Sequence, residues 1–141
     1  MSKFSAFMAQ NVAKIENKKF VLSDRFKDEN GKPIEWEIRA LTAEESDDIN
    51  RRCVVNVPVP GHRGQFSREV DGVKLASLFI CESVVYPDLN DAALQDSYGV
   101  KTPVDLLKKM LYTHEENKLA EEVKSFSNLP DLGELVEEAK N

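Results

Sequence analysis

Cysteine is scarce: Cys53 and Cys81 are the only two in 141 residues. No CxxC pair exists, so the spacing of a cysteine-built metal or redox centre is missing. Both cysteines fall inside apolar helical patterns and read as reduced core positions. Long apolar runs are missing as well. The most hydrophobic stretch is too short for a bilayer and is interrupted by Lys74 and Glu82. At the N-terminus Lys14, Glu16, Lys18 and Lys19 arrive before any signal-peptide core forms. A cytoplasmic protein is the expectation. Positive charge is in the minority, 19 lysines and arginines against 25 aspartates and glutamates, for a net charge of -6. Such a surface repels duplex nucleic acid and anionic membranes. Arg51, Arg52, Arg63 and Arg68 around the single aromatic Phe66 are too few to reverse that, so neither nucleic acid nor membrane is an expected partner.

Catalytic signatures are absent too. There is no phosphate-cradling glycine loop, nucleophile elbow or HExxH pair. His62 and His114 lie on separate segments, with no partner at triad or metal spacing. The run DENGKP, Asp28 to Pro33, has its glycine directly after Asn30 and no glutamate closing a twelve-residue calcium loop. The many carboxylates read as a solvated face. The sequence predicts no enzyme, no catalytic or metal-ligating residue and no cofactor.

What the chain does have is one strongly apolar stretch, DGVKLASLFICESVVYP, from Asp71 to Pro87. It predicts a central helix over about 71–86, capped by Asp71 and stopped by Pro87, which disfavours helical geometry at Tyr86. Leu75, Leu78 and Phe79 fall on one side, and Val73, Ala76, Ile80 and Val84 on another, so this helix must be covered on most sides. The rest of the chain reads as packing around it, in a single domain with one core.

Residues Ser2 to Asn17 carry Phe4, Phe7, Met8, Val12 and Ile15 at spacings of three and four, an amphipathic helical stripe that docks either on its own domain or on a partner. Over residues 18–41 the period changes to two. Phe20, Leu22 and Phe26 share one face of a strand over Lys19 to Lys27, and Ile34, Trp36, Ile38 and Ala40 alternate in a second strand. Asn30-Gly31 between them predicts a hairpin. The remaining core, 42–127, reads as helical. The capping box Thr42 to Glu45 opens a helix reaching about Val54, and Asn56 to Gly64, NVPVPGHRG, reads as a loop. A short helix from Asp88 to Tyr98 closes at Gly99. Thr102-Pro103 starts another, with Val104, Leu107, Met110 and Leu111 inward. A second capping box, Thr113 to Glu116, opens a helix burying Leu119, Val123 and Phe126, with His114 exposed in its first turn. After the break at Asn128-Leu129-Pro130, residues 131–141 place Leu132, Leu135, Val136 and Ala139 on one stripe. The fold class is α+β, an N-terminal β-hairpin followed by a mainly helical domain.

Three blocks, FKDENGKPIEWEIRALTAEESDDINRRC (Phe26 to Cys53), GQF (Gly64 to Phe66) and ESVVYPDLNDAALQDSYGV (Glu82 to Val100), with LLKKML (Leu106 to Leu111), resemble the XkdN-like phage tail assembly chaperones. The likeness runs from about Phe20 to Leu111, and VVYPDLND and LQDSYG are its most specific parts. The resemblance implies a non-catalytic assembly factor of phages and prophages. Such a factor binds the tail tape-measure protein, with tail tube protein as a second client, and is absent from the finished particle. It also implies that a frameshifted longer form can exist. The family supplies no residue-level binding map. Amphipathicity alone nominates Phe4, Phe7, Met8 and Val12, together with Leu132, Leu135 and Val136, as contacts to the tape measure or to a second copy. The competing reading is a prophage-encoded regulatory or adaptor protein that binds a host protein.

Overall fold

A computed structural model describes residues 3–127, among which five strands and five α-helices occur. The α+β class follows the expected order, a hairpin first and then helices. Strands β1 (Lys18–Val21) and β2 (Glu35–Ile38) pair antiparallel, with Phe20 opposite Trp36. Alternation turns Trp36 and Ile38 inward, both essentially inaccessible, while Glu35 faces out.

The Asn30-Gly31 turn forms where the sequence places it. Gly31 adopts φ 79° and donates its N–H to the Asp28 carbonyl, while Asp28 Oδ1 accepts from the N–H groups of Asn30 and Lys32. The first strand nonetheless ends at Val21, short of the expected Lys27. Residues 22–26 leave the ladder so that Leu22 enters the core and Arg25 reaches the helices, and only a bridge between Lys27 and Pro33 rejoins the two arms.

Helix α1 (Ala43–Arg52) begins with the expected capping box, in which Thr42 Oγ1 accepts from Glu45 N–H and Glu45 Oε1 accepts from Thr42 N–H. It stops at Arg52, and the first three residues of the expected loop, Asn56 to Pro58, join a strand of a second hairpin, while residues 59–64 remain irregular as expected. Strand β3 (Val54–Pro58) pairs with β4 (Phe66–Val70), from Val54 opposite Val70 to Pro58 opposite Phe66. Val54, Val55 and Val57 favour the extended backbone, and Pro58 sits at the last pair, where its missing N–H does least harm. Gly61 and Gly64, both at positive φ, make the connecting turn.

Helix α2 (Gly72–Ser83) is capped by Asp71, which accepts from Lys74 N–H. It ends three residues before the expected Tyr86. Val84–Tyr86 instead forms β5, which pairs with β2 and completes a three-stranded sheet of order β1-β2-β5. Two valines and a tyrosine are strand formers, Pro87 denies Tyr86 the helical region, and the open edge of β2 offers a ladder. Helix α3 (Ala92–Ser97) is shorter than expected because Asp88 is spent on a turn, accepting from Asn90 N–H, and Asp91 provides the cap. Helix α4 (Pro103–Met110) starts as expected at Thr102-Pro103. Helix α5 (Thr113–Ser127) has its cap shifted by one residue. Glu115, not Glu116, reaches back to accept from Tyr112 N–H, at 2.9 Å.

The two faces read on α2 are two separate core clusters. Leu75, Leu78 and Phe79 pack with Ile49 and Cys53. Ile80 and Val84, with Ala76 beside them, pack with Trp36, Ile38, Leu106, Met110, Leu119 and Val123. Val73 departs from the expectation and is 63% exposed. Leu106, which the α4 stripe omitted, is completely buried, and Phe126 packs at the edge of the larger cluster.

One buried carboxylate ties hairpin to helices. Glu115 is 1% exposed, accepts from Arg25 Nε at 2.8 Å, and holds Tyr112 N–H as well. Arg25 also donates to the Met110 carbonyl at 3.0 Å, and its guanidinium lies over the rings of Phe26 and Tyr112. The Arg25 hydrogen bond, opposed by burial, pulls the Glu115 carboxyl from its ordinary 4.5 to about 2. Arg39 does the same for Glu45, also to about 2. A folded-state value below the unfolded one adds stability that is complete above the unfolded value and is lost as pH falls through the folded one. Wild-type stability should therefore drop between pH 4.5 and about 2. Glu115→Ala should cost about 2–4 kcal/mol at neutral pH and flatten that drop, both read by urea denaturation across pH.

Candidate docking surfaces

The N-terminal stripe does not form the expected helix. Ser5–Phe7 makes one 3-10 turn, and no regular structure follows until β1. The amide of Asn11 donates to the Ser5 carbonyl at 2.8 Å, occupying a backbone acceptor that helix continuation would use. So short a stripe has little helical stability of its own without packing. Its apolar side chains stand in solvent: Phe7 and Ile15 are more than 70% exposed, Phe4 and Val12 more than half, and Met8 41%. Four of the nominated residues, Phe4, Phe7, Met8 and Val12, thus share one exposed segment. Leu132, Leu135 and Val136 lie outside the described residues.

A second surface was not legible in the sequence. Helices α2, α4 and α5 leave between them a groove of about 480 Å³. Ala76, Ile80 and Cys81 line it from α2, Val104 and Leu107 from α4, and Ala120 from α5. Its rim is charged, with Lys108 paired to Glu116 at 2.7 Å and Glu121 and Lys124 farther along α5. The small residues Ala76, Ser77 and Ala120 open the space, but their meaning depends on three helices meeting. Cys81 is half-buried there, and burial pushes its thiol up to about 12; burial also raises that of Cys53, which is fully inside the second cluster.

The described residues place no catalytic constellation at either surface. His62 sits in the β3–β4 turn, and His114, exposed as expected, stacks on Tyr112. A smaller hollow over α1 is lined by ions of both signs, in which Arg52 pairs with Glu82 at 3.3 Å, while Glu45 pairs at 2.7 Å with Arg39 outside the lining. No described helix is long and apolar enough to cross a membrane.

The family model described as Phage XkdN-like tail assembly chaperone protein matches residues 4–140. The chain belongs to this family. It is 31% identical to the phage-like element PBSX protein XkdN of Bacillus subtilis (strain 168), an alignment covering 97% of this chain and 93% of that protein. It is 30% identical to YqbN of the same strain, over 97% of this chain and 92% of YqbN. The crystal structure of YqbN superposes with a TM-score of 0.75 at 18% identity, covering 92% of this chain and 99% of that one, so the two share a fold. The resemblance read in the residues is therefore a family relationship, and the tail-assembly role it carries is that of a chaperone.

In this member of the XkdN-like family, the exposed stripe and the core should respond oppositely to mutation. Phe7→Ser should shift unfolding by less than about 0.5 kcal/mol, whereas Leu119→Ala should cost about 2–5 kcal/mol. Thermal denaturation of the two variants against wild type makes the comparison.

Proposed function

We propose that this protein binds the tail tape-measure protein during tail assembly and is released before the tail is complete, acting without catalysis in the cytoplasm of the bacterial host. The tail tube protein is a second client of the same chemistry. The observation that carries the reading is the exposed N-terminal segment, where Phe4, Phe7, Met8 and Val12 stand in solvent on an otherwise acidic chain of a tail assembly chaperone family. A tape measure is long and largely helical, and its apolar stripe aggregates unless another amphipathic surface covers it. The nominated residues Leu132, Leu135 and Val136 extend the offered apolar surface from the other end of the chain, toward the client or a second copy. Weak individual contacts permit release, and the net charge of -6 keeps the free chaperone in solution.

Co-expression of the tagged chain with the tape-measure protein of the same genome, followed by affinity capture and light scattering, tests this. The tape measure should become soluble and co-elute with several copies of the chain. Changing Phe7→Asp and Met8→Asp together should lower capture by about tenfold or more without changing the melting temperature, since each exposed apolar side chain contributes on the order of 1–3 kcal/mol when buried. A tape measure that stays insoluble while host proteins alone are captured would move the protein to the adaptor class.

A further inference from the structure

We infer that the groove between α2, α4 and α5 is the docking place of the chain's own C-terminal segment, residues 131–141, which covers it in the free protein. Three observations converge on that occupant. The first is position. α5 lines the groove with Asn117, Ala120, Glu121 and Lys124, and Ser127, the last described residue, is three positions beyond. The chain therefore leaves α5 at the end of the groove. By its sequence Pro130 disfavours the helical region at Leu129 and cannot sit inside a continuing helix, which argues against a straight extension of α5.

The second is length. Eleven residues, Asp131 to Asn141, span about 16 Å as a helix, and the α5 lining from Glu116 to Lys124 is about 12 Å long at 1.5 Å per residue. A segment folded back along α5 covers the groove from end to end. The third is chemistry. Leu132, Leu135, Val136 and Ala139 recur at i, i+3, i+4 and i+7, and match an apolar floor of Ala76, Ile80, Leu107 and Ala120. Asp131, Glu134, Glu137 and Glu138 fall outside that stripe, and the rim mixes both signs, Lys108 paired to Glu116 at 2.7 Å with Glu121 and Lys124 farther along α5.

Tethering makes this occupant hard to displace. A three-residue connection holds the segment at an effective concentration on the order of millimolar, far above that of a second copy or a client in the cell. So short a helix is marginal alone and acts only when docked. One consequence rests on the tape-measure reading: the stripe offered to the client is stored in the groove until the client draws it out.

Cys81 in the groove is a built-in reporter, while Cys53 is fully buried in the other cluster. In the full-length chain, Leu132→Cys, Leu135→Cys and Val136→Cys, each tested singly, place a thiol on the apolar stripe, and Glu134→Cys places one off it. Mild oxidation with copper phenanthroline should join Cys81 to the introduced thiol within one chain for at least one stripe variant. Its yield should be fivefold or more above Glu134→Cys, as read by non-reducing electrophoresis and peptide mass. Equal yields on and off the stripe, or no intramolecular bond from any variant, would overturn the docking. Bonds formed only between chains would give the groove to a second copy instead. This readout needs no client. Added tape-measure protein should then lower the intramolecular yield severalfold. An unchanged yield with bound client would reject the displacement while the docked segment stands, and a client that fails to bind at all counts against the tape-measure reading alone.

Discussion

A helix that is apolar on two faces cannot rest against a single layer, and that constraint on α2 organises the molecule. Leu75, Leu78 and Phe79 face one way, and Ile80 with Val84 the other, so cover must come from both directions. On the first side α1 brings Ile49 and Cys53. On the second side the sheet brings Trp36 and Ile38, while α4 and α5 bring Leu106 and Leu119. The end of α2 passes directly into β5, so the helix is also anchored to the sheet by backbone pairing. The β3–β4 hairpin is joined to α2 where Asp71 N–H donates to the Cys53 carbonyl at 2.8 Å.

Burial alone would leave the first hairpin free to slide over the helices, because apolar contact is not directional. Arg25 and Glu115, ninety positions apart, supply the direction. The carboxylate is fully enclosed, yet it is satisfied by the guanidinium and by Tyr112 N–H, so it fixes the loop after β1 against the α4–α5 corner and caps α5 in one arrangement. Lys118 Nζ donating to the Val21 carbonyl at 3.0 Å and Lys18 paired with Glu122 at 2.6 Å repeat the link along α5. The hairpin and helices thus present one continuous body.

Among the described residues, exposed apolar side chains recur along the N-terminal segment, and an apolar groove opens beside α5. A chaperone has to offer apolar surface and still stay in solution. Net negative charge and a charged groove rim meet that need from the solvent side. On the proposed docking, the tethered C-terminal segment meets it from within.

Local chemistry carried much of the fold. Thr42, Asp71 and Thr102 announce helix starts because a side-chain oxygen just before a helical pattern satisfies an otherwise unpaired N–H of the first turn, and the period-two residues Trp36 and Ile38 announce a half-buried strand. Family membership was also legible, in blocks such as VVYPDLND. Where the sequence misled, two local tendencies competed and a distant partner chose between them. Val84–Tyr86 continues an apolar helix until the open edge of β2 is present, and Asn56 to Pro58 read as the start of a loop until β4 lies opposite. Phe4 to Val12 has helical spacing but no surface against which to become a helix. Glu115 looked like one acid among 25 Asp and Glu residues, and only the arrival of Arg25 from ninety positions away makes it a buried anchor. The groove belongs to no segment at all. The sequence by itself determined the caps at Thr42, Asp71 and Thr102, the alternation of Trp36 and Ile38 and the family blocks, because each is written in residues near one another along the chain. Strand partners, the buried ion pair and the groove were decided by tertiary structure, because each is a relation between surfaces that meet only after the chain has closed on α2.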